Sequence, residues 1–227
     1  MGLTGEQLLE VFAAYNQQIW PVQILAYILA IGAVMLAFKK VRWGSPLILA
    51  VLAFFWLWVA LLFWLPSTAQ GFTIGYAFLA LFLIEGLLLL YQTIKLKITF
   101  GTSKQVYTIA GLVMVFYTMI GYPLIGLLIG HRYPYTALIG LFPCPLALFT
   151  FGMLLLSGSI IPISLLLIPS FWGLSAVMWI SIGIWEDIGL LLGSIVGVYL
   201  ILQRNKKLRG DDRVSEAWSL NLHGKVG

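Results

Sequence analysis

Residues 46–65 have the sequence PLILAVLAFFWLWVALLFWL, an unbroken run of 20 residues without a charged side chain. An α-helix of about 20 apolar residues is long enough to span the hydrocarbon core of a bilayer. Three basic residues, Lys39, Lys40 and Arg42, come shortly before this run. The segment therefore predicts a transmembrane helix that begins beside a positively charged flank.

The composition of the whole chain excludes an ordinary soluble domain. Of its 227 residues, 61% are hydrophobic and only 9% are charged, and the mean hydropathy is +1.01. An ordinary soluble domain carries about 25% charged residues. We therefore expect an integral membrane protein whose fold is entirely α-helical.

Further apolar stretches have lengths similar to that of residues 46–65. The last three are crowded, and short breaks such as Ser157-Gly158-Ser159 are all that separates them. We predict a bundle of seven transmembrane helices in a single domain, residues 1–203, with spans at about 20–38, 46–65, 72–91, 106–130, 137–156, 160–180 and 185–202.

The positions of Lys and Arg predict how these spans are oriented. Of the 13 Lys and Arg residues, 12 lie in the loop after the first span, the loop after the third span or the tail after Leu202, and only Arg132 lies elsewhere. Cytoplasmic loops of membrane proteins are enriched in these residues. Seven crossings put all three basic segments on the cytoplasmic side, whereas six would put the basic tail outside. We therefore expect the amino terminus outside and the carboxyl terminus in the cytoplasm.

Both ends of the chain are more polar than the spans. Thr4 and Gln7 have the spacing of a capping box, and the apolar residues after them can form one face of a helix. We expect residues 4–17 to form an interfacial helix on the outer surface that turns into the membrane near Trp20-Pro21. The basic tail, residues 204–227, is expected to be cytoplasmic and poorly ordered.

The net charge of +5 and the pI of about 9.4 come from separate loops and the tail. Because these charges do not form one basic face, nucleic acid is not an expected partner. The expected partners are the lipid bilayer and, at the cytoplasmic face, anionic lipid headgroups. One cysteine, Cys144, and two histidines offer no disulfide, haem or zinc site, so we expect neither a cofactor nor a metal.

Glu85 is the acidic residue that lies well inside a predicted span. It lies about 20 Å along the third span from Phe72 at 1.5 Å per residue, which places it in the inner half of the membrane. Ionisable side chains at such depths are costly and mark functional sites by default. Two interpretations stay open: a proton-carrying or substrate-binding role, or a protonated carboxyl group hydrogen-bonded to a neighbouring helix.

A second polar group is predicted at the outer ends of the spans. Glu186 and Asp187 begin the seventh span, where acids cap free N–H groups and suit the helix dipole. Arg132, the one cation expected outside, is predicted to pair with one of them. That pair either has only a structural role, linking two loops, or belongs to an outward-facing pocket in which His131 exchanges protons. Asn16 belongs either to an interfacial cap or to the same pocket.

Two local patterns predict how the spans pack. Pro143 and Pro145 interrupt the fifth span and free backbone carbonyls, which is a feature both of plain helix kinks and of the broken helices of transporters. Gly189, Gly193 and Gly197 recur every four residues and form one face of the seventh span. Such a stripe allows close helix packing, and we expect its partner to be another span of this chain.

Five blocks of sequence are similar to a known family. They are NQQIWPVQI at 16–24, GHRYP at 130–134, GLFPCP at 140–145, FTFG at 149–152 and EDIGL at 186–190. Together they resemble a family of bacterial multi-pass membrane proteins that is classed only as a domain of unknown function and whose members sometimes carry a permease label. The resemblance implies a protein of the bacterial cytoplasmic membrane and supplies no reaction, substrate or catalytic residue. The chain departs from that family at Glu85, where Gln is more usual.

These observations favour a small carrier that moves a small solute or couples movement to protons. Its polar site would be formed by Asn16, Glu85, His131, Arg132, Glu186 and Asp187. The alternatives are a membrane scaffold without catalytic activity and an outer-surface enzyme acting on lipid headgroups with His131 as general base. No nucleophile or metal set accompanies that histidine, so no catalytic residue is assigned. A polar cavity joining Glu85 to the outer residues would favour transport, a shallow pocket with His131 beside an acid would favour an enzyme, and dry packing would favour a scaffold.

Overall fold

The structure is a computed structural model that describes residues 4–39, 41–69, 73–101 and 104–223. Over these residues the chain is helical apart from its loops and one isolated backbone bridge between Phe100 and Ser157. In chain order the helices are α1 Gly5–Gln18, α2 Val22–Ala37, α3 Gly44–Thr68, α4 Gly75–Lys95, α5 Gln105–Ile129, α6 Pro143–Leu156, α7 Ser164–Ser181 and α8 Asp187–His223.

Five helices, α3, α4, α5, α7 and α8, are long and apolar enough to cross a membrane. Helices α1 and α2 meet at an 89° bend and together have the length and composition of a sixth span. Helix α6 is apolar but has only 14 residues. At 1.5 Å per residue it is about 21 Å long, shorter than the hydrocarbon core. The predicted α-helical membrane protein is thus confirmed as a class, with five or six spans by length.

The amino-terminal helix begins where the sequence predicts. Thr4 accepts a hydrogen bond from the backbone N–H of Gln7, and the Gln7 side chain accepts one from the backbone N–H of Thr4. This reciprocal capping box satisfies two N–H groups that the helix leaves free. Leu8 and Phe12 lie on the buried face of α1. Because α1 meets α2 at nearly a right angle, it lies across the end of the bundle.

Helix α6 is the centre of the bundle, since each of its 14 residues is buried. It packs against α5, α7 and α8. Pro143 and Pro145 stand in its first turn, where a missing N–H removes no intrahelical hydrogen bond. Residues 137–142, expected as the first turns of the fifth span, are instead irregular and mostly buried. Irregular backbone at membrane depth is tolerated where protein surrounds it.

The glycine stripe of α8 packs inside this chain. A Cβ atom added at Gly189 or Gly193 would collide with the side chain of Tyr117 in α5 or Leu148 in α6, and one at Gly197 would make a tight contact with Phe151 in α6. The glycines thus allow α8 to approach the two helices closely. The prediction that the stripe faces another span of the same chain is confirmed.

Three loops and the inner part of α8 meet at one end of the bundle. The N–H of Phe100, between α4 and α5, donates to Ser45 Oγ at the start of α3 over 3.1 Å. The N–H of Thr99 donates to Ser159 Oγ, between α6 and α7, over 2.9 Å. We call this region the basic end, and among the described residues it comprises 38–39, 41–43, 96–101, 104, 157–163 and 204–210.

Arg204 and Asn205 fasten α8 to the basic end. Arg204 Nη1 donates to the backbone oxygens of Leu154, Leu155 and Ser157 at 3.0, 3.2 and 2.7 Å. Asn205 pairs with the backbone of Ile161, accepting from its N–H over 3.0 Å and donating to its oxygen over 2.7 Å. The last carbonyl groups of α6, which have no partner within the helix, are thereby satisfied by side chains of α8.

The expectation of a poorly ordered tail, residues 204–227, was wrong for the residues that the structure describes, and residues 224–227 lie outside them. Helix α8 continues without a break to His223. Arg204 and Asn205 are only 3% and 4% exposed. Their polarity suggested solvent exposure, but both side chains find buried backbone partners, which polar composition alone does not reveal.

Replacing Asn205 with Ala should lower the free energy of unfolding by about 2–6 kcal/mol, because two buried backbone groups lose their partners and each costs about 1–3 kcal/mol. Equilibrium unfolding of the purified protein in micelles titrated with a denaturing detergent measures this change. Lys207→Ala, an exposed position on the same helix, is the control and should shift stability by less than about 0.5 kcal/mol. If both variants were equally stable, the hydrogen bonds between Asn205 and the Ile161 backbone would not contribute to stability.

Candidate functional site

Four of the six predicted site residues lie at the end of the bundle opposite the basic end. Asn16 comes from α1, His131 follows α5, Glu186 precedes α8 and Asp187 is its first residue. We call these four residues the polar cluster. The structure places Arg132 on the surface beside them and Glu85 elsewhere, on the buried face of α4.

The side chains of His131 and Glu186 meet at the edge of the polar cluster, in a contact that is an ion pair when the imidazole is protonated. His131 Nδ1 lies 2.7 Å from Glu186 Oε1, and the two side chains are 13% and 3% exposed. Gly130 ends α5 with a φ of 103°, a conformation that favours glycine and turns the chain toward α8. Because Nδ1 faces the carboxylate, Nε2 is the ring nitrogen left for proton exchange.

The predicted pair between Arg132 and an acid was wrong. Arg132 is exposed, and its neighbour His131 takes the position beside Glu186. The basic side chain that contacts Glu186 is therefore that of His131. Successive residues of an irregular loop point in different directions, so sequence adjacency did not identify which of the two would reach the acid.

Asp187 lies deeper than Glu186 and is fully buried. The hydroxyl of Tyr122 donates to Asp187 Oδ1 over 2.6 Å. Cys144, in the first turn of α6, lines the same small cavity as Asp187. Asp187 thus lies where α5, α6 and α8 meet, and Tyr122 of α5 is its hydrogen-bond donor. A buried carboxyl group held in this way can hold or exchange a proton without contact with bulk water.

A π-helical segment of α5, Tyr117–Gly121, positions the two tyrosines of the site. The Tyr117 hydroxyl donates to the backbone oxygen of Glu186 over 2.7 Å, while Tyr122 reaches Asp187. Each π turn holds one residue more than an α turn, so residues five apart face the same direction. Sequence reasoning missed both tyrosines, because hydropathy does not reveal where a helix changes its hydrogen-bonding pattern.

Asn16 acts as a clamp on the irregular segment before α6. Its Nδ2 donates to the backbone oxygens of Pro134 and Thr136 at 2.6 and 2.8 Å, and the side chain is fully buried. Gln23 Nε2, from α2, donates to the backbone oxygen of Asn16 over 2.7 Å. These contacts tie the bend between α1 and α2 to the buried segment and favour a positioning role for Asn16. Gln23 and Thr136 were not predicted.

A small cavity adjoins Asp187 and Cys144. Its volume of about 20 Å³ is enough for about one water molecule. The other walls are apolar and largely aromatic, with contributions from Phe12, Phe63, Trp64, Trp172 and Trp179. The polar cluster therefore borders this small cavity, and Asp187 is the acidic residue in the cavity lining.

Glu85 is fully buried, and neither carboxyl oxygen has a hydrogen-bond partner among the described residues. The hydrogen bond to a neighbouring helix, which one interpretation required, is therefore not formed. One turn before Glu85, the Phe82 ring packs 5.1 Å from the Trp172 ring. Trp172 also lines the cavity beside Asp187. The structure thus separates Glu85 from the polar cluster by a layer of aromatic rings.

This aromatic layer consists of Trp64, Phe78, Phe82 and Trp172. The ring centroids of Trp64 lie 4.8 Å from Phe78 and 5.6 Å from Trp172, and those of Phe78 and Trp172 lie 5.1 Å apart. Such spacings are typical of tightly packed aromatic pairs. In this conformation the layer closes the space between the cavity and Glu85.

Within the described part of the chain, no group of three or more His, Cys, Asp and Glu side chains is arranged to hold a metal ion. The polar cluster supplies one imidazole, two carboxyl groups and one amide, and Cys144, Tyr117 and Tyr122 beside it add one thiol and two phenols. These groups can hold and exchange protons and can donate hydrogen bonds to a polar solute.

The chain belongs to a family of unknown function, DUF6064, whose model matches residues 5–211. The sequence blocks described above predicted membership of a family without an assigned function, and at that level the prediction is confirmed. No curated protein and no solved structure gives a significant match.

Replacing Tyr122 with Phe should destabilise the protein by about 1–3 kcal/mol, because the buried Asp187 loses a hydrogen-bond donor. Tyr199→Phe is the matched control, since Tyr199 is 63% exposed on α8. The measurement is equilibrium unfolding in micelles, with both variants compared with the wild-type protein. If Tyr122→Phe proves as stable as Tyr199→Phe, the hydroxyl contributes nothing to holding Asp187.

Proposed function

We propose that this protein is a small carrier of the bacterial cytoplasmic membrane that moves protons, or a small solute together with protons. The observation that carries the proposal is Glu85, a fully buried carboxyl group in the middle of an apolar helix without a hydrogen-bond partner among the described residues. Burying such a group is costly whether it is charged or neutral. A role in carrying a proton is a physical reason for keeping it there.

We further propose seven passes, with the amino terminus outside. The loops after α2, α4 and α6 lie at the basic end together with residues 204–210, so successive helices run in alternate directions. On this view α6 and the irregular segment before it form the fifth pass. Lys39, Arg42, Lys97, Lys104 and the four basic residues from Arg204 to Arg209 belong to the segments that meet at the basic end, which supports a cytoplasmic position for that end.

In this proposal the two groups of acids act at different depths. His131 is the partly exposed member of the polar cluster and exchanges protons with the outer solution. Asp187 holds a proton or a hydrogen-bonded solute beside the cavity, and Glu85 receives the proton on the inner side of the aromatic layer. Arg132, exposed and outside the ion pair, has no assigned role in the pathway.

The aromatic layer serves as the closed gate in this proposal. Trp64 belongs to a π-helical segment of α3, Val59–Trp64, and Trp172 follows Pro169, which lies inside α7. At both places the regular helical hydrogen bonding is interrupted, and such places are where helices hinge and kink. Movement of these two segments would separate the rings and join the cavity to Glu85.

Proton flux into liposomes containing the purified protein tests the proposal. Wild-type protein should show flux that depends on a pH gradient, and Glu85→Gln, which keeps the size of the side chain but cannot release a proton, should reduce it to background. Arg132→Ala is the matched control and should retain the flux. Unfolding measurements establish that Glu85→Gln still folds. Flux through Glu85→Gln equal to that of the wild type would refute the role of Glu85, and no flux in any variant would favour a scaffold.

A second candidate function rests on the pair of His131 and Glu186. A histidine held by a carboxylate through Nδ1 is the arrangement of a general base, and His131 is partly exposed at the surface. An enzyme acting on lipid headgroups would lose activity in His131→Gln and keep it in Glu85→Gln. The carrier predicts flux that is lost in Glu85→Gln, so the two variants separate the two functions.

A further inference from the structure

A groove lies between α1 and the last turns of α3, at the end of the bundle opposite the basic end. Its volume is about 280 Å³. The other lining residues are apolar, and those that the argument needs are Glu10, Ala14, Tyr15 and Gln18 of α1 and Phe63 and Ser67 of α3. Glu10, Ala14 and Gln18 are exposed, so this α1–α3 groove opens to the surface of the protein.

Contacts between the two helices hold the walls of the α1–α3 groove in place. Trp58 Nε1 donates to the Tyr15 hydroxyl over 2.9 Å, and the Tyr15 and Phe63 rings meet edge to face with their centroids 5.2 Å apart. Both rings are buried and form the floor of the groove. Phe63 also lines the small cavity beside Asp187, so one ring borders both spaces. The groove is therefore already formed, and its floor is aromatic.

The polar groups of the groove favour a ligand that donates hydrogen bonds. The Glu10 carboxylate can only accept them. The Ser67 hydroxyl donates its proton to the backbone oxygen of Phe63 over 2.6 Å, which leaves its lone pairs to accept. The Gln18 side chain supplies one further acceptor, its amide oxygen.

The α1–α3 groove is also negatively charged. Glu10 forms no ion pair with any side chain that the structure describes, and no Lys or Arg of the described ranges lines the groove. The helix dipole accounts for Glu6, which stands in the first turn of α1, but Glu10 lies one turn further along. A cation is therefore the ligand whose charge complements this groove.

We propose that the α1–α3 groove binds a small organic ammonium ion. The ammonium group pairs with Glu10, and the apolar part of the ligand lies against the Tyr15 and Phe63 rings. From Glu10 to Gln18 the groove follows eight residues of α1, about 12 Å at 1.5 Å per residue. This length suits a molecule with one ring or a short chain and is too short for the acyl chains of a lipid. The inference does not depend on the carrier proposal.

Binding of phenethylammonium to the purified full-length protein in detergent tests this inference, with phenethyl alcohol as a neutral analogue of the same shape. Both are measured by isothermal titration calorimetry, and titrations into protein-free micelles are subtracted. The wild-type protein should bind the ammonium ion more tightly than the alcohol. Glu10→Gln should weaken binding of the ammonium ion about twofold to fivefold, the range for an exposed ion pair, and leave the alcohol unaffected. Glu6→Gln removes the same charge outside the groove and should change neither.

A second pair of variants tests the position of the ligand. Ala14→Trp fills the groove and should reduce binding, whereas Gln17→Trp, exposed on α1 but outside the groove, should not. Equal affinity for the ammonium ion and the alcohol, equal losses in Glu10→Gln and Glu6→Gln, or unchanged binding in Ala14→Trp would each overturn the proposal. Binding that disappears when nanodiscs of phosphatidylglycerol are replaced by nanodiscs of phosphatidylethanolamine would also overturn it, by indicating that a lipid headgroup occupies the groove.

Discussion

The hydrogen bonds from Arg204 to the end of α6 are the interaction on which the rest of the structure depends. Helix α6 is buried along its whole length, so water cannot satisfy the carbonyl groups at its carboxyl end. Arg204 Nη1 satisfies them from α8, and its guanidinium group also packs over the ring of Tyr107 in α5. One side chain thereby fixes the positions of three helices relative to one another.

At the amino-terminal end of α6, buried backbone groups also need hydrogen-bond partners, and different residues supply them. The segment before Pro143 is irregular and buried, so its backbone groups need partners from side chains. Asn16 supplies two hydrogen bonds, to Pro134 and Thr136. Asp187 and Cys144 line the same cavity at the first turn of α6. The polar residues at this end thus contribute to both the fold and the candidate site, because the irregular segment before α6 brings polar groups into an apolar bundle.

Glu85 differs from every member of the polar cluster. Asn16, Glu186 and Asp187 each have at least one side-chain hydrogen bond, whereas neither oxygen of Glu85 has a partner among the described residues. The aromatic layer between Asp187 and Glu85 keeps water from joining the two sites in this conformation. A carboxyl group isolated in this way is a reason to expect a second conformation, because a proton can reach it only when the rings separate.

The sequence by itself determined the class of the fold, the capping box at Thr4, the internal packing of the glycine stripe and the burial of Glu85. Each of these follows from local composition or helical spacing. Tertiary structure decided what no local pattern contains: that His131 and not Arg132 reaches Glu186, that Arg204 turns inward, and that Tyr122 meets Asp187. These contacts join residues at least 47 positions apart, and they depend on how whole helices are rotated and where α6 begins.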